Sequence, residues 1–302
     1  MDTVLVVWNA HAGSVSRRRR EVIVKALQAD FKLDVAETQA RNHAAGLARD
    51  AVDRGFDAVL AFGGDGTVNE VAQGLVGTDV ALGIVPGGST NVLARAVGVP
   101  RDPVEATAFV ASRLRSGTRR RIGVGRLDDR YFLFSAGMGL DAEVVRRVEQ
   151  DPEGKRRNAE GVFVANALKV ALTRYRGAAA GVTLAVPGAE PQRVVFAVCG
   201  NGRPFTYYKR WPVDACPAAH LDRGLDVLGL TKVRTVTIPH ITWSLFVSRS
   251  HVRWRTARYF SDVSWARLAA DEPLPVQVDG DYLGERDAAH LEHVPDALDL
   301  LV

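Results

Sequence analysis

The spacing of apolar positions changes once along the chain, near Gly117. Before that point, short continuous apolar runs alternate with amphipathic stretches. The runs over 3–8, 32–36, 57–62 and 81–85 read as buried strands. The stretches over 14–29, 41–54, 68–76 and 92–97 read as helices, with Ser14 or Ser16 opening the first and Gly55 closing the second in the C′ position. Such alternation predicts an α/β domain with a doubly wound parallel sheet, helices covering both faces.

After Gly117 the pattern becomes mostly two-residue alternation. Strands are expected over 118–127, 130–136, 182–186, 193–199, 225–231, 263–269 and 275–278, and the alternation predicts antiparallel pairing. Helices are expected over 142–150 and 161–175, while 238–247 reads as either helix or strand. The expected domains are therefore 1–121, α/β, and 122–302, a β-rich sandwich. The sequence leaves open whether a strand over 297–302 returns to the first domain. No internal repeat or low-complexity linker interrupts the chain.

A length of 302 residues with 47% hydrophobic content suits two globular domains. No run of about 18 apolar residues is present, so no membrane span is expected. The apolar run after Met1 is followed, not preceded, by Arg17 to Arg20, unlike a signal peptide. Cys199 and Cys216 lack metal or redox spacing and argue against a disulfide framework. The seven histidines show no metal-ligand spacing, and no Ser-His-Asp arrangement stands out. A net charge of +4 suits anionic lipid surfaces or nucleotides. No nucleic-acid-binding module is present, so no nucleic-acid partner is expected.

The chemistry concentrates at Gly63-Gly64-Asp65-Gly66-Thr67-Val68-Asn69-Glu70, where an apolar strand turns into a helix. Glycines let a phosphate approach the backbone, and the first helical amides point at whatever lies ahead of them. Thr67 is placed to cap this helix, with Glu70 three residues on as in a capping box. Asp65 would repel a bare phosphate. It fits if Mg²⁺ accompanies the phosphates, or if it holds a neighbouring loop or a hydroxyl. A second glycine turn, Pro86 to Asn91, follows the fourth strand. Ligands of such sheets bind beyond the carboxyl ends of the strands. Two glycine cradles there suit a polyphosphate.

Gly-Gly-Asp-Gly-Thr followed by Val-Asn-Glu-Val resembles the catalytic domain shared by diacylglycerol kinases, sphingosine kinases and the bacterial lipid kinases related to them. The Gly-Gly-Asp-Gly core is also similar to that of NAD kinases and, in variant form, phosphofructokinases; Asn69-Glu70 favours the lipid-kinase branch. Pro86-Gly87-Gly88-Ser89-Thr90-Asn91 resembles that family's second nucleotide loop, with Ala94-Arg95 matching behind it. Asn9 and Gly13 resemble its first loop, although Ala10 replaces a proline. Thr38 stands where bacterial members carry a nucleotide-touching threonine. The resemblance thus implies ATP with Mg²⁺ held by Asn9, Thr38, Gly63, Gly64, Asp65, Gly66, Thr67, Asn69, Gly88, Ser89, Thr90 and Asn91. The ordinary alternative for Asn9 and Thr38 is strand-end capping. Arg17 to Arg20 suit either phosphate and headgroup contact or a solvated helix face.

The same resemblance extends into the second domain and implies an active site in the cleft between domains. Val278-Asp279-Gly280-Asp281 matches a segment whose last acid is the family's general base. Here Asp281 replaces the glutamate, and a plain Asp-Gly hairpin is the bland reading. Asp222-Arg223-Gly224-Leu225-Asp226-Val227 resembles a segment in which bacterial relatives hold a structural Mg²⁺, with Arg223 at the position of the ligating acid. An arginine cannot ligate a cation. Either Asp222 takes the metal with carbonyls of His220 and Leu225, or Arg223 replaces the ion's charge and pairs with Asp141 of the matching 137–142 segment. At 203–212 an aromatic and basic insertion departs from the family and suits a lipid entrance, a membrane surface or an ordinary loop. The helix over 161–175, behind Lys155-Arg156-Arg157, offers Val162, Ala165, Leu168 and Leu172 for core packing or a lipid pocket border.

The resulting expectation is a lipid kinase, cytoplasmic and peripherally membrane-associated, that meets its lipid substrate at a membrane surface. A homodimer is left open. The rivals are an NAD kinase-like enzyme with a soluble substrate, and a nucleotide- or lipid-binding regulator whose Asp281 and Arg223 mark lost catalysis.

Overall fold

The computed structural model describes residues 1–9, 17–173, 175, 177, 179–234 and 237–302. The chain divides into two compact units, Met1–Gly123 with Asp296–Val302, and Val124–Pro295.

The first unit contains β1 (Thr3–Trp8), α1 (Arg17–Gln28), β2 (Lys32–Glu37), α2 (His43–Asp53), β3 (Ala58–Gly63), α3 (Asp65–Leu75), β4 (Ala81–Pro86), α4 (Val92–Ala96) and α5 (Pro103–Ser116). Its sheet runs β2-β1-β3-β4, all parallel. Leu300 pairs in parallel with Leu82, so residues 296–302, whose return the sequence leaves open, join the first unit's sheet. Every residue of β3 and β4 is buried. Strands covered on both faces need apolar side chains at successive positions, which is why these segments read as continuous runs. One face packs Val4, Val6, Leu60 and Phe62 against Ile23 and Leu27 of α1 and Val110 and Leu114 of α5. Ala44, Ala45, Ala48 and Ala51 form the buried side of α2.

Ser14 and Ser16 lie outside the described residues, as does Gly13. Helix α3 begins at Asp65, three residues earlier than its apolar spacing suggests. Helix α5 was not anticipated at all, although its ends are well marked. Asp102 accepts from the amides of Val104 (2.8 Å) and Glu105 (3.2 Å), Pro103 opens the helix, and Gly117 closes it at φ 68°.

The second unit is antiparallel and β-rich. Strand β5 (Arg120–Leu127) leads into it, followed by β6 (Arg130–Phe132), β7 (Ser135–Met138), α6 (Leu140–Glu149), α7 (Pro152–Thr173), β8 (Val182–Ala185), β9 (Gln192–Val194) and β10 (Phe196–Gly200). Then come β11 (Thr206–Tyr208), β12 (Trp211–Val213), β13 (Leu225–Leu230), α8 (Ile238–Trp243), a π turn over Ser244–Ser248, β14 (Ala257–Val263), β15 (Trp265–Val278) and β16 (Asp281–Leu300). The order β14-β13-β10-β7-β15-β16 carries the sheet. The two strands expected over 263–269 and 275–278 are one strand, β15, with a register shift between Ala269 and Leu274. Pro273 and Pro275 cannot donate to a ladder, and the irregularity falls there. Before it β15 pairs with β8, after it with β7.

Alternate residues of these strands, among them Leu184, Cys199, Val227, Leu268 and Val276, fill one core. The opposite faces of β10 and β13 pack Val198, Leu228 and Leu230 with Val144 and Val148 of α6 and Val170 of α7. Helix α7 therefore turns inward through Val162, Phe163, Ala167 and Val170, not through the Ala165 and Leu168 of the expected stripe, which are exposed. Side chains 155–157 lie outside the described ones.

Candidate active site

In the first unit the glycine turn sits where β3 becomes α3. Gly64 is the N-cap in an extended conformation, with no side-chain cap, so Asp65, Gly66 and Thr67 form the helix's first turn. This corrects the expected capping box. Thr67 is inside the helix and buried, and its Oγ1 accepts from Asn9 Nδ2 at 2.9 Å. Glu70 caps a different helix: its Oε2 accepts from the Ala44 amide in the first turn of α2, at 3.2 Å. Tertiary partners take both side chains away from local capping.

The two glycine turns lie backbone to backbone. The Gly87 amide donates to the Gly63 carbonyl at 2.7 Å. A Cβ on Gly88 would stand 2.7 Å from Gly64 Cα, and one on Gly63 would stand 2.4 Å from Thr67 Oγ1, so both positions exclude larger residues. Asp65 Oδ1 accepts from the Val92 amide at 2.6 Å, the first amide of α4. Of the alternatives for this carboxylate, the structure shows the one in which it holds a neighbouring loop.

Asn91, at φ 49°, closes the second turn reciprocally. Its Oδ1 accepts from Gly88 N (3.1 Å), and its Nδ2 donates to Gly88 O (2.7 Å). The amides of Gly87, Gly88 and Val92 are thus used inside the protein. The second turn thereby buttresses the first. Ser89 is exposed and Thr90 half-buried. The space beside Gly66 is open: a methyl group added there would meet nothing within 4 Å. The first turn of α3 lies at the positive end of the helix dipole, where an anion is favoured.

Asn9 and Thr38 stand at adjacent strand ends, their amides donating to Phe62 O (3.0 Å) and Trp8 O (2.8 Å). Asn69 is buried, and its Oδ1 accepts from Gln73 Nε2 at 3.1 Å, an intrahelical role. Arg20 pairs with Glu37 at 3.1 Å and lies over the Trp8 ring, while Arg18 and Arg19 are exposed.

In the second unit, β15 and β16 are joined by Asp279-Gly280 at φ 48° and 82°, with Val278 opposite Asp281. Two left-handed residues in a two-residue loop make a type I′ turn, for which Asp-Gly is suited. The hairpin reading and the presentation of Asp281 are therefore one structure. Asp279 anchors it. Its buried carboxylate accepts from three successive amides, Leu133 (2.7 Å), Phe134 (3.0 Å) and Ser135 (2.9 Å). Asp281 is three-quarters buried and lies 3.7 Å from Arg130 NH2, a partner that spacing did not indicate.

Each of the residues expected at a metal site has a role within the protein. The His220 carbonyl accepts from the Arg223 amide at 3.0 Å, and Leu225 is a buried strand residue opposite Val263. Asp222 Oδ2 lies 3.5 Å from His220 Nδ1 on an exposed turn. Among the described residues no group of three or more His, Cys, Asp or Glu converges. The segment is tied by protein bonds instead. Asp226 accepts from the Tyr259 hydroxyl and from the Asp262 amide (3.1 Å), and Asp262 accepts from the Gly224 amide (2.8 Å). Burial pushes Asp226 up, and Tyr259 and Arg223 oppose that shift.

Asp141 is paired with Gln277 Nε2 at 2.9 Å, not with Arg223. Its burial pushes the carboxyl up to about 6.

A parallel α/β unit with a glycine-framed helix start, joined to an antiparallel β-rich unit, is the build shared by diacylglycerol kinase and NAD kinase folds. Residues 3–127 match the family model of the diacylglycerol kinase catalytic domain. The chain is 34% identical over 148 residues to a Bacillus subtilis diacylglycerol kinase, 48% of each chain. It is 28% identical over 255 residues to a Pseudomonas putida protein described as a YegS-like lipid kinase, 83% of this chain and 79% of that one. The match thus spans about half the length of the Bacillus subtilis relative. Among solved structures, a candidate diacylglycerol kinase from Bacillus anthracis superposes with TM-score 0.77 at 21% identity, covering 99% of this chain and 97% of that one. An ATP-complexed NAD kinase from Archaeoglobus fulgidus has TM-score 0.51 at 13% identity, over 99% and 93%. The similarity to diacylglycerol kinases and bacterial lipid kinases is thus carried mainly by residues 3–127.

Proposed function

We propose that the protein is an ATP-dependent lipid kinase that phosphorylates the hydroxyl of a diacylglycerol or sphingoid-type lipid. The observation that carries this reading is the glycine-framed start of α3, with open space at Gly66, inside a segment that matches a diacylglycerol kinase catalytic domain. The amides of the α3 first turn bind the polyphosphate, and Asn9 with Thr67 fixes the strand end beside them. Mg²⁺ carried with the nucleotide would supply charge neutralisation for the polyphosphate.

Asp281 accepts the proton of the lipid hydroxyl as its oxygen attacks the γ-phosphorus and ADP departs. Arg130 positions that carboxylate, and the three amides that hold Asp279 keep the turn in place. Aspartate is one methylene shorter than the family's glutamate, so the substrate hydroxyl must approach closer.

The test is ATP consumption by purified protein with mixed micelles of diacylglycerol or sphingosine, or with NAD, for the native protein and Asp281→Asn. Phosphorylated lipid from the native protein alone supports the kinase and its base. Phosphorylated NAD moves the chain to a soluble-substrate kinase. Undiminished lipid turnover by the variant removes Asp281 as base. ATP binding without any phosphorylated product supports a regulator.

A further inference from the structure

The second unit carries an exposed aromatic platform, built partly from the 203–212 segment, that the proposed chemistry does not use. Trp211, Trp243 and Val247 are 56%, 58% and 53% exposed. They belong to two packed elements, the β11–β12 hairpin and α8 with the π turn that follows it. Tyr208 meets Phe246 edge to face at 6.3 Å. The Asp214 amide at the end of β12 donates to the Leu245 carbonyl at 2.9 Å. The buried Asp214 carboxylate ties the elements together, accepting from Arg203 (3.0 Å) and from Arg249 (2.7 Å). Trp243 and Val247 stand four residues apart in the continuous helical segment 238–248. The apolar groups are thus presented by a braced surface.

Its charge is one-sided. Residues 227–261 contain six Lys or Arg and no Asp or Glu. At the hairpin tip, Lys209 lies over the Tyr208 ring and Arg210 over the Trp211 ring, at 5.8 and 5.7 Å. Exposed tryptophans flanked by cations match the polar–apolar boundary of a bilayer, where the rings sit at headgroup level and the cations meet anionic lipid. A second copy of this chain fits poorly, since a two-fold contact through this face would bring like charges together.

We propose that the β11–β12 hairpin and the α8–π-turn segment dock the protein on anionic bilayer surfaces through Trp211 and Trp243. The proposal deepens the lipid-kinase reading and rests on it for its purpose, but binding can be measured without ATP or acceptor lipid.

The experiment is co-sedimentation of the full chain with phosphatidylcholine vesicles and with phosphatidylcholine–phosphatidylglycerol vesicles, alongside its oligomeric state by light scattering. The native protein is expected on the anionic vesicles, less so as salt rises. Trp211→Ser with Trp243→Ser should weaken binding at least about tenfold, about 1.4 kcal/mol, with melting unchanged. Lys209→Glu with Arg210→Glu should weaken it too. Equal binding by native protein and the tryptophan variant overturns the proposal, as does equal affinity for neutral and anionic vesicles. A native dimer that dissociates in the tryptophan variant, with no vesicle binding by either, also overturns it in favour of self-association. Vesicle binding without lipid phosphorylation would keep this surface and remove the kinase reading. Phosphorylation of micellar lipid without vesicle binding would do the reverse.

Discussion

Gly88→Ala and Gly66→Ala should separate folding from ligand binding at the two glycine turns. The Gly88 methyl would lie 2.7 Å from Gly64 Cα, roughly 0.8 to 1.3 Å inside an ordinary carbon–carbon separation. The atom it meets is backbone, and the adjacent Gly87–Gly63 bond of 2.7 Å keeps the turns from parting. Relief requires the second turn to move, which strains the 2.6 Å bond between Asp65 and Val92. Overpacking of this kind costs about 1 to 3 kcal/mol, with a rigid backbone neighbour favouring the upper part. Gly66 differs: nothing lies within 4 Å of its added methyl, and it occupies a helical position. Alanine there preserves stability or raises it by up to about 1 kcal/mol through helix propensity. Its methyl nevertheless enters the space where a phosphate would meet the backbone. Thermal melting and calorimetric titration with a non-hydrolysable ATP analogue would measure both effects. Gly88→Ala should melt lower and bind weakly; Gly66→Ala should melt like the native protein and still bind at least about tenfold more weakly, about 1.4 kcal/mol. Native-like nucleotide affinity in Gly66→Ala would refute the placement of phosphate at α3.

Three further outcomes can be checked. Asp141 is raised to about 6 by burial, so its folded state holds a proton that the unfolded chain releases near its ordinary value of 3.8; its contribution to stability is present below that value and is lost as pH rises through about 6, at most about 3 kcal/mol. Urea midpoints of native protein and Asp141→Asn between those pH values should show the variant losing this dependence. Tyr259→Phe removes the hydroxyl donated to Asp226 and should cost about 1 to 3 kcal/mol, while chelator should leave the native melting temperature unchanged because the 220–226 segment is tied by protein bonds. Glu70→Ala should lower stability by about 1 kcal/mol through loss of the α2 cap, read from its urea midpoint.

What was legible in the sequence follows from how each feature is encoded. Strands β3 and β4 are buried on both faces, and burial writes itself as unbroken apolar runs. The glycine turns were legible because close backbone approach leaves glycine as the residue that fits, as at Gly63 and Gly88. Side-chain partners were not. Glu70 bonds to Ala44 and Asp65 to Val92, both more than two dozen residues away, and a local capping rule assigns such groups to the nearest helix start instead. Helix α5 has clear ends, but its buried side is built from Ala106, Thr107, Val110, Ala111 and Leu114, a faint apolar stripe. Strand β16 was read only at its far end because its earlier residues are mostly part-exposed and do not alternate. The Arg223 amide bond to the His220 carbonyl was not legible either, because a matching motif carries no information on which backbone groups are already bonded.

The place of residues 296–302 also bears on biosynthesis. The first unit's sheet needs them: Leu301 N donates to Leu82 O at 3.0 Å, Gly77 N to Ala297 O at 2.8 Å, and Arg119 and Arg121 reach the buried Asp299. These residues emerge from the ribosome only after the entire second unit. Until then β4 presents a bare, fully apolar edge, the kind of strand that recruits foreign chains. The nascent protein therefore has a window of vulnerability that the mature one lacks, and an early stop codon before residue 296 would make that window permanent.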